Sequence, residues 1–288
     1  MPEAPTPAVT HISETAQWVA MIRARESRRP DAIFHDPLSE RLAGERGRRI
    51  ADQLSRPGRD DWPLVVRTRL IDDLVLESVA QGADCVLNLA AGLDTRPYRL
   101  RLPETLTWIE ADLPGLVDEK ERLLAGEKPA CRVRRERVDL TDAGARSAFL
   151  DRALAGFRRA LVITEGLLVY LEPDMVRAIA RDLHARPAIA WWTIDLASPA
   201  VLAMLKRRVG SDLAENATMR FAPADGVAFF APLGWNAADV RSFFRAALGF
   251  HRLPRWMRLF GFLPDPDPCR PGRRPWGAAV RFTRGPLP

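Results

Sequence analysis

Gly92, Asp112, Asp139 and Glu165 each follow an apolar run, and the three acids suit a single task. Carboxylates accept hydrogen bonds, and a ribose diol, an adenine amino group and a substrate ammonium all donate them. Asp112 lies about twenty residues beyond Gly92, the separation at which the second strand of a doubly wound fold delivers a carboxylate to a ribose diol. Glu110 competes for that role, because a shift of two residues along a strand keeps the same face. Ala90, Ala91 and Gly92 carry almost no side chain, so the backbone there lets a ligand approach closely. A dinucleotide fingerprint would place its first glycine at Ala90 and its third at Thr95, so a pyrophosphate is poorly cradled. An adenosine cofactor without phosphates fits better, and S-adenosylmethionine is the one expected. Its carboxylate needs a cation that the turns do not supply. Arg67 is the first candidate and Arg23 the second. Each acid singly also reads as a helix cap, and the ligand reading rests on the set.

These residues must be held by alternating strands and helices. Residues 85–89 read as a strand buried on both faces, followed by a turn in which Asp94 or Thr95 caps a helix opened by Pro97. Strands are expected at 106–112, 131–140, 160–165 and 188–196, with helices at 64–80, 113–125, 141–157 and 172–185. The arginines of 131–140 place that strand at a sheet edge. The pattern predicts an α/β fold with a doubly wound, mostly parallel sheet whose strand ends share one ligand-binding rim. Upstream, residues 1–13 read as mobile and 14–28 as an amphipathic surface helix. A second short helix follows Asp36, its expected cap, and a polar loop occupies 55–61. Downstream, 201–208 and 236–248 read as helices, the latter with Phe243, Phe244 and Leu248 inward. Residues 250–257 and 276–283 read as two closing strands joined by a proline-rich turn. One domain is expected, with an N-terminal helical extension (1–80), a cofactor-binding core (81–200), a lid insertion (201–235) and a closing helix and strands (236–288). Phe229, Phe230 and Trp235 read equally well as core.

The stretches RRPDAIFHDP, VVRTRLIDD, VLNLAAGLDTRPYRL, WIEADLP, RVDL and ITEGLLVYL, in this order over about residues 15–175, resemble the leucine carboxyl methyltransferase family. That family is a branch of the class I S-adenosylmethionine-dependent methyltransferases with a Rossmann-like sheet. The chain is most similar to its bacterial small-molecule branch, such as the tetracenomycin-pathway carboxyl O-methyltransferases. The resemblance implies cofactor contacts by Arg67, the turn at Ala90 and Gly92, Asp112, Asp139, Leu140 and Glu165, with Tyr170 near the substrate. Ala90 departs from the family's usual glycine and tightens the turn.

The implied chemistry is O-methylation in natural-product biosynthesis. A carboxylate acceptor, with a reference pKa of about 4, is already ionised and needs no catalytic base, whereas a phenol at about 10 does. None of the four histidines stands in a recognisable base position, which favours a small carboxylic acid over a hydroxyl acceptor. Net charge is +6, with arginine in excess but spread along the chain, so a nucleic-acid-binding protein is the alternative from another class and not the first reading. Three distant cysteines form neither a disulfide framework nor a metal site. No leader or apolar run of spanning length is present, so a cytoplasmic protein without a membrane partner is expected.

Overall fold

The computed structural model describes residues 12–54, 61–209 and 218–285. Three helices open the chain, α1 (Ile12–Ser27), α2 (Ser39–Leu54) and α3 (Trp62–Ala80). An alternating region follows: β1 (Cys85–Leu89), α4 (Arg96–Arg99), β2 (Thr107–Asp112), α5 (Pro114–Leu123), β3 (Arg132–Arg137), α6 (Ala143–Leu154), β4 (Ala160–Thr164), α7 (Pro173–His184) and β5 (Ile189–Ala197). The chain closes with α8 (Pro199–Val209), β6 (Trp235–Ser242), α9 (Phe243–Gly249) and β7 (Gly277–Arg284). The seven strands form one sheet in the order β3-β2-β1-β4-β5-β7-β6, with β7 antiparallel to both neighbours. This is the doubly wound, mostly parallel sheet expected.

β1 and β4 are buried at every position, as central parallel strands must be. β3 lies at the edge. Its Arg135 binds Glu110 at 2.8 Å, and its Arg137 binds Asp118 and Glu121 at 2.6 and 2.8 Å, so the charge-rich run meets acids and solvent. One face of the sheet packs Phe149, Leu183, Trp192 and Phe282, and the other Ile71, Leu74, Trp108 and Ala247. The order of strands reverses between β1 and β4, so a crevice opens beyond their carboxyl ends.

Several expectations are corrected. α1 is not a surface helix: Ala20, Met21, Ile22, Arg23 and Glu26 are buried, because α2 packs along it and its charges are matched internally. Arg23 binds Asp36 at 2.8 Å, and Glu26 binds Arg252 at 2.8 Å. Asp36 therefore does not cap α2. Its carboxylate takes Arg23 and the Thr95 hydroxyl instead (2.6 Å), and α2 starts three residues later.

The expected helix 236–248 begins only at Phe243, where Ser242 accepts a hydrogen bond from the Arg245 N–H at 3.3 Å. The preceding residues form edge strand β6, their weak strand propensity overridden by pairing with β7. Residues 250–257 are not a strand. At the end of α9 the Arg252 N–H reaches the Ala247 carbonyl (2.8 Å) with His251 left-handed (φ 57°), which reverses the chain and turns Arg252 inward to Glu26. The strand expected at 276–283 consequently inserts between β5 and β6. Phe229, Phe230 and Trp235 belong to the main core. Residues 1–11, 55–60 and 210–217, with the first expected mobile segment, the loop and part of the lid, lie outside the described residues.

Candidate functional site

A cavity of about 290 Å³ sits over the carboxyl ends of β1, β4 and β5, near the lower size limit for small-ligand sites. Its floor is the turn after β1, where an L-residue and a glycine both adopt left-handed backbone: Ala90 at φ 53° and Gly92 at φ 48°. A side chain at Gly92 would come within 3.3 Å of Ala16 on α1, so the helix can lie directly on the turn. The Gly92 N–H donates to Asp112 Oδ2 at 2.7 Å, and the Leu113 N–H donates to Oδ1 at 2.8 Å. Burial raises the Asp112 pKa, and these two N–H groups only partly oppose it. Glu110 is unavailable to a ligand, being enclosed by Lys120 and Arg135, each at 2.8 Å.

The charged wall is a chain of ion pairs delivered by five elements. Arg67 of α3 donates from Nε to Glu165 Oε1 at 2.9 Å and from Nη1 to Asp195 Oδ2 at 3.2 Å. Arg96 Nη1 meets Glu165 Oε2 at 2.7 Å and Asp94 Oδ2 at 2.8 Å, while its Nε donates to Asp72 Oδ1 at 2.7 Å. The Gly166 N–H donates to Asp195 Oδ1 at 2.7 Å. Gly166 is left-handed (φ 66°), a backbone that disfavours any side chain, and a Cβ there would lie in ordinary contact with the Arg67 guanidinium at 3.5 Å. Burial pushes the Glu165 and Asp94 carboxyls up, but the adjacent arginines outweigh it and hold both below the usual carboxylate range. The other wall is apolar: Trp18 of α1, Val169, Val201 and Leu205 of α8, Met219 and Phe221. Tyr170 lies between the two. Burial raises its pKa, a hydrogen bond with Thr15 opposes this, and the phenol stays neutral.

The structure brings Arg67, Ala90, Gly92, Glu165 and Tyr170 around one cavity, with Arg23 at its edge held by Asp36 and the Leu93 carbonyl (2.6 Å). Asp112 stands behind the turn, joined to it through Gly92. Asp139 and Leu140 do not line the cavity. Asp139 is exposed and accepts from the Thr141 N–H at 2.9 Å, and the Leu140 carbonyl accepts from Arg146 at 2.6 Å. Asp94, Arg96 and Asp195 are lining residues absent from the sequence-based set. Asp195 carries a related signal, an acid two residues before the end of an apolar strand. Arg96 carries none, since only its three partners mark it.

The strained turn yields a test. Left-handed backbone costs an L-residue about 1–2 kcal/mol, and glycine loses about 0.5–1 kcal/mol through its greater freedom when unfolded. Ala90→Gly is therefore expected to raise stability by about 0.5–1 kcal/mol, read as a higher urea midpoint. A lower midpoint would mean that packing of the Ala90 methyl against the core outweighs the strain.

Residues 16–184 match the sequence model of the leucine carboxyl methyltransferase family. A Saccharopolyspora erythraea protein, provisionally named an S-adenosyl-L-methionine-dependent methyltransferase, is 36% identical over 73% of this chain and 74% of its own length. A Mycobacterium marinum protein of the same provisional name is 36% identical, the match spanning 57% of this chain and 58% of that protein. Among solved structures, a provisionally named methyltransferase from Thermobifida fusca superposes with a TM-score of 0.59 at 18% identity, covering 97% of this chain and 96% of that one. A DUF574 family protein from Streptomyces avermitilis gives 0.56 at 16% identity, covering 96% and 98%. At these identities the two structures speak for the fold.

Proposed function

The chain belongs to the leucine carboxyl methyltransferase family, and from that premise we propose that it is an S-adenosylmethionine-dependent methyltransferase that esterifies the carboxylate of a small, largely apolar acid such as a polyketide metabolite. The cavity fits the cofactor's chemistry. Asp94, Glu165 and Asp195 offer acceptors to an ammonium group, and the Arg67 guanidinium offers donors to a carboxylate. Asp112, at the second strand's end, is assigned to the ribose diol, and Asp139 with Leu140, which lie outside the cavity, are assigned to the adenine through the family resemblance alone. When bound, the cofactor supplies an electrophilic methyl group, and the chain's own residues position the acceptor and exclude water.

One observation carries the choice of acceptor. Among the described residues no histidine lines the cavity, and Asp94 and Glu165 are held as weak bases by Arg96 and Arg67. An acceptor that must lose a proton finds no tuned base there, whereas a carboxylate arrives ionised. Alignment alone is worth effective molarities of roughly 10⁵ M or more. The wall of Trp18, Val169, Leu205, Met219 and Phe221 suits an apolar acceptor body.

The test uses methyl-labelled S-adenosylmethionine with a panel of aromatic and polyketide acids, each labelled product then treated with mild alkali. Methyl esters hydrolyse and aryl ethers survive. The rate of the chemical step is expected to be nearly flat from about pH 6 to pH 9, because ionisation near pH 4 is complete below that window. Alkali-stable label with a rate that climbs toward high pH would overturn the carboxylate reading in favour of a hydroxyl acceptor.

A further inference from the structure

Of the seven large apolar side chains exposed among the described residues, five lie within eight positions: Trp256, Leu259, Phe260, Phe262 and Leu263, between 41% and 82% exposed. The backbone carrying them is anchored. Leu253 is buried, Arg245 donates to the Gly261 carbonyl at 2.6 Å and to that of Leu263, and Arg258 donates to the Leu253 carbonyl at 3.2 Å. The side chains therefore project outward from a held loop, through a single 3-10 turn at Met257–Phe260. A cluster of exposed apolar side chains on one loop marks an interaction site.

Charge says which. Beside the loop lies a second cavity, about 380 Å³, whose lining includes Arg25, Arg29, His251, Arg252, Arg255 and Arg258. Its two acids are engaged: Glu26 binds Arg252 at 2.8 Å, and Asp61 faces Arg25 at 3.8 Å. Arg255 and Arg258 are exposed and have no carboxylate partner among the described residues. A symmetric contact with a second copy would bring two sets of these arginines into one interface. An apolar, aromatic protrusion flanked by unneutralised arginines instead matches the boundary between phospholipid headgroups and acyl chains.

We propose that this loop docks the protein on an anionic phospholipid surface, with the five apolar side chains entering the boundary layer and Arg255 and Arg258 meeting lipid phosphates. Docking of this kind is separate from spanning, and no helix among the described residues is long and apolar enough to cross a membrane.

The full chain would be floated with vesicles of phosphatidylcholine alone or mixed with phosphatidylglycerol. Binding is expected to be at least about tenfold stronger to the anionic vesicles and to weaken with salt. Leu259→Ser with Phe262→Ser should reduce binding to both vesicle types by about tenfold or more, and Arg255→Gln with Arg258→Gln should abolish the anionic preference. Unchanged cofactor affinity in both variants serves as the folding control. Absence of vesicle binding, or binding indifferent to both pairs of substitutions, overturns the proposal. So does a concentration-dependent dimer lost with Leu259→Ser/Phe262→Ser, which would assign the patch to a second copy. Preference for polyglutamate or an oligonucleotide over vesicles would assign it to a soluble polyanion.

Discussion

Arg67→Ala is expected to weaken S-adenosylmethionine binding by about 2–5 kcal/mol, roughly 30-fold to several-thousand-fold, while the protein stays folded. An arginine on a solvated helix face would contribute under about 1 kcal/mol. Arg67 is different, its side chain 12% exposed and shared between Glu165, just beyond β4, and Asp195 on the neighbouring β5. Its loss removes the donor assigned to the cofactor carboxylate and leaves two acids facing the position that carboxylate would take. The fold tolerates this, because Glu165 keeps Arg96 at 2.7 Å and Asp195 keeps the Gly166 N–H at 2.7 Å. Arg67→Lys, which retains charge but not the planar fork, should recover only part of the affinity. Calorimetry with the cofactor and its demethylated product reads the effect, and a thermal melt separates it from unfolding. Unchanged affinity would move the role to Arg23, which would first have to leave Asp36. A protein that binds NAD instead would sink the methyltransferase reading itself.

How much of this was legible in the sequence depends on where the determining partner lies. Strands β1 and β4 are visible because strands buried on both faces are largely apolar runs, and β3 shows as an edge because its arginines have no place in a core. Buried α1 is not visible. Arg23 and Glu26 look solvated until Asp36 and Arg252 are brought to them, and Arg252 is 226 residues away from Glu26. β6 is hidden for a similar reason, since Asn236, Ala237 and Asp239 form a strand only against β7. The site divides the same way. Gly92, Asp112 and Glu165 announce themselves as small or acidic residues at or just beyond strand ends, and Asp195 nearly does, two residues before β5 ends. Arg96 does not, because an arginine opening a short helix is ordinarily exposed and its burial here rests on Asp94 two residues before it and on the distant Asp72 and Glu165.

That convergence makes Arg96 a position where substitution should cost the fold heavily. Arg96→Met is expected to destabilise the protein by about 3–5 kcal/mol near pH 8, since it leaves buried charge without its counter-ion. The guanidinium is 2% exposed and contacts Asp72, Asp94 and Glu165. Asp72 retains Arg99 at 2.6 Å and Glu165 retains Arg67, so the burden falls on Asp94, which among the described residues keeps no cation in contact and only the Asn88 amide at 2.8 Å and the residue-96 N–H at 2.9 Å. The pH dependence distinguishes this from lost packing. In the native protein the folded-state pKa values of Asp94 and Glu165 are depressed, so their contribution is complete above the unfolded value of about 4 and fades only as pH falls through the folded values. Without Arg96, burial acts on Asp94 with less opposition and its pKa moves up toward the unfolded value, Lys120, Arg99 and Arg23 still opposing burial. The variant then loses less stability than the native protein as pH falls below about 4. Urea unfolding at pH 8 and pH 3 should show the deficit narrowing toward the acid side, and Asp94→Asn placed on Arg96→Met should recover part of it at pH 8. A deficit below about 1 kcal/mol, or one equal at both pH values and unrelieved by Asp94→Asn, would mean that Arg96 acts by filling space and that the ion-pair chain contributes little to the fold.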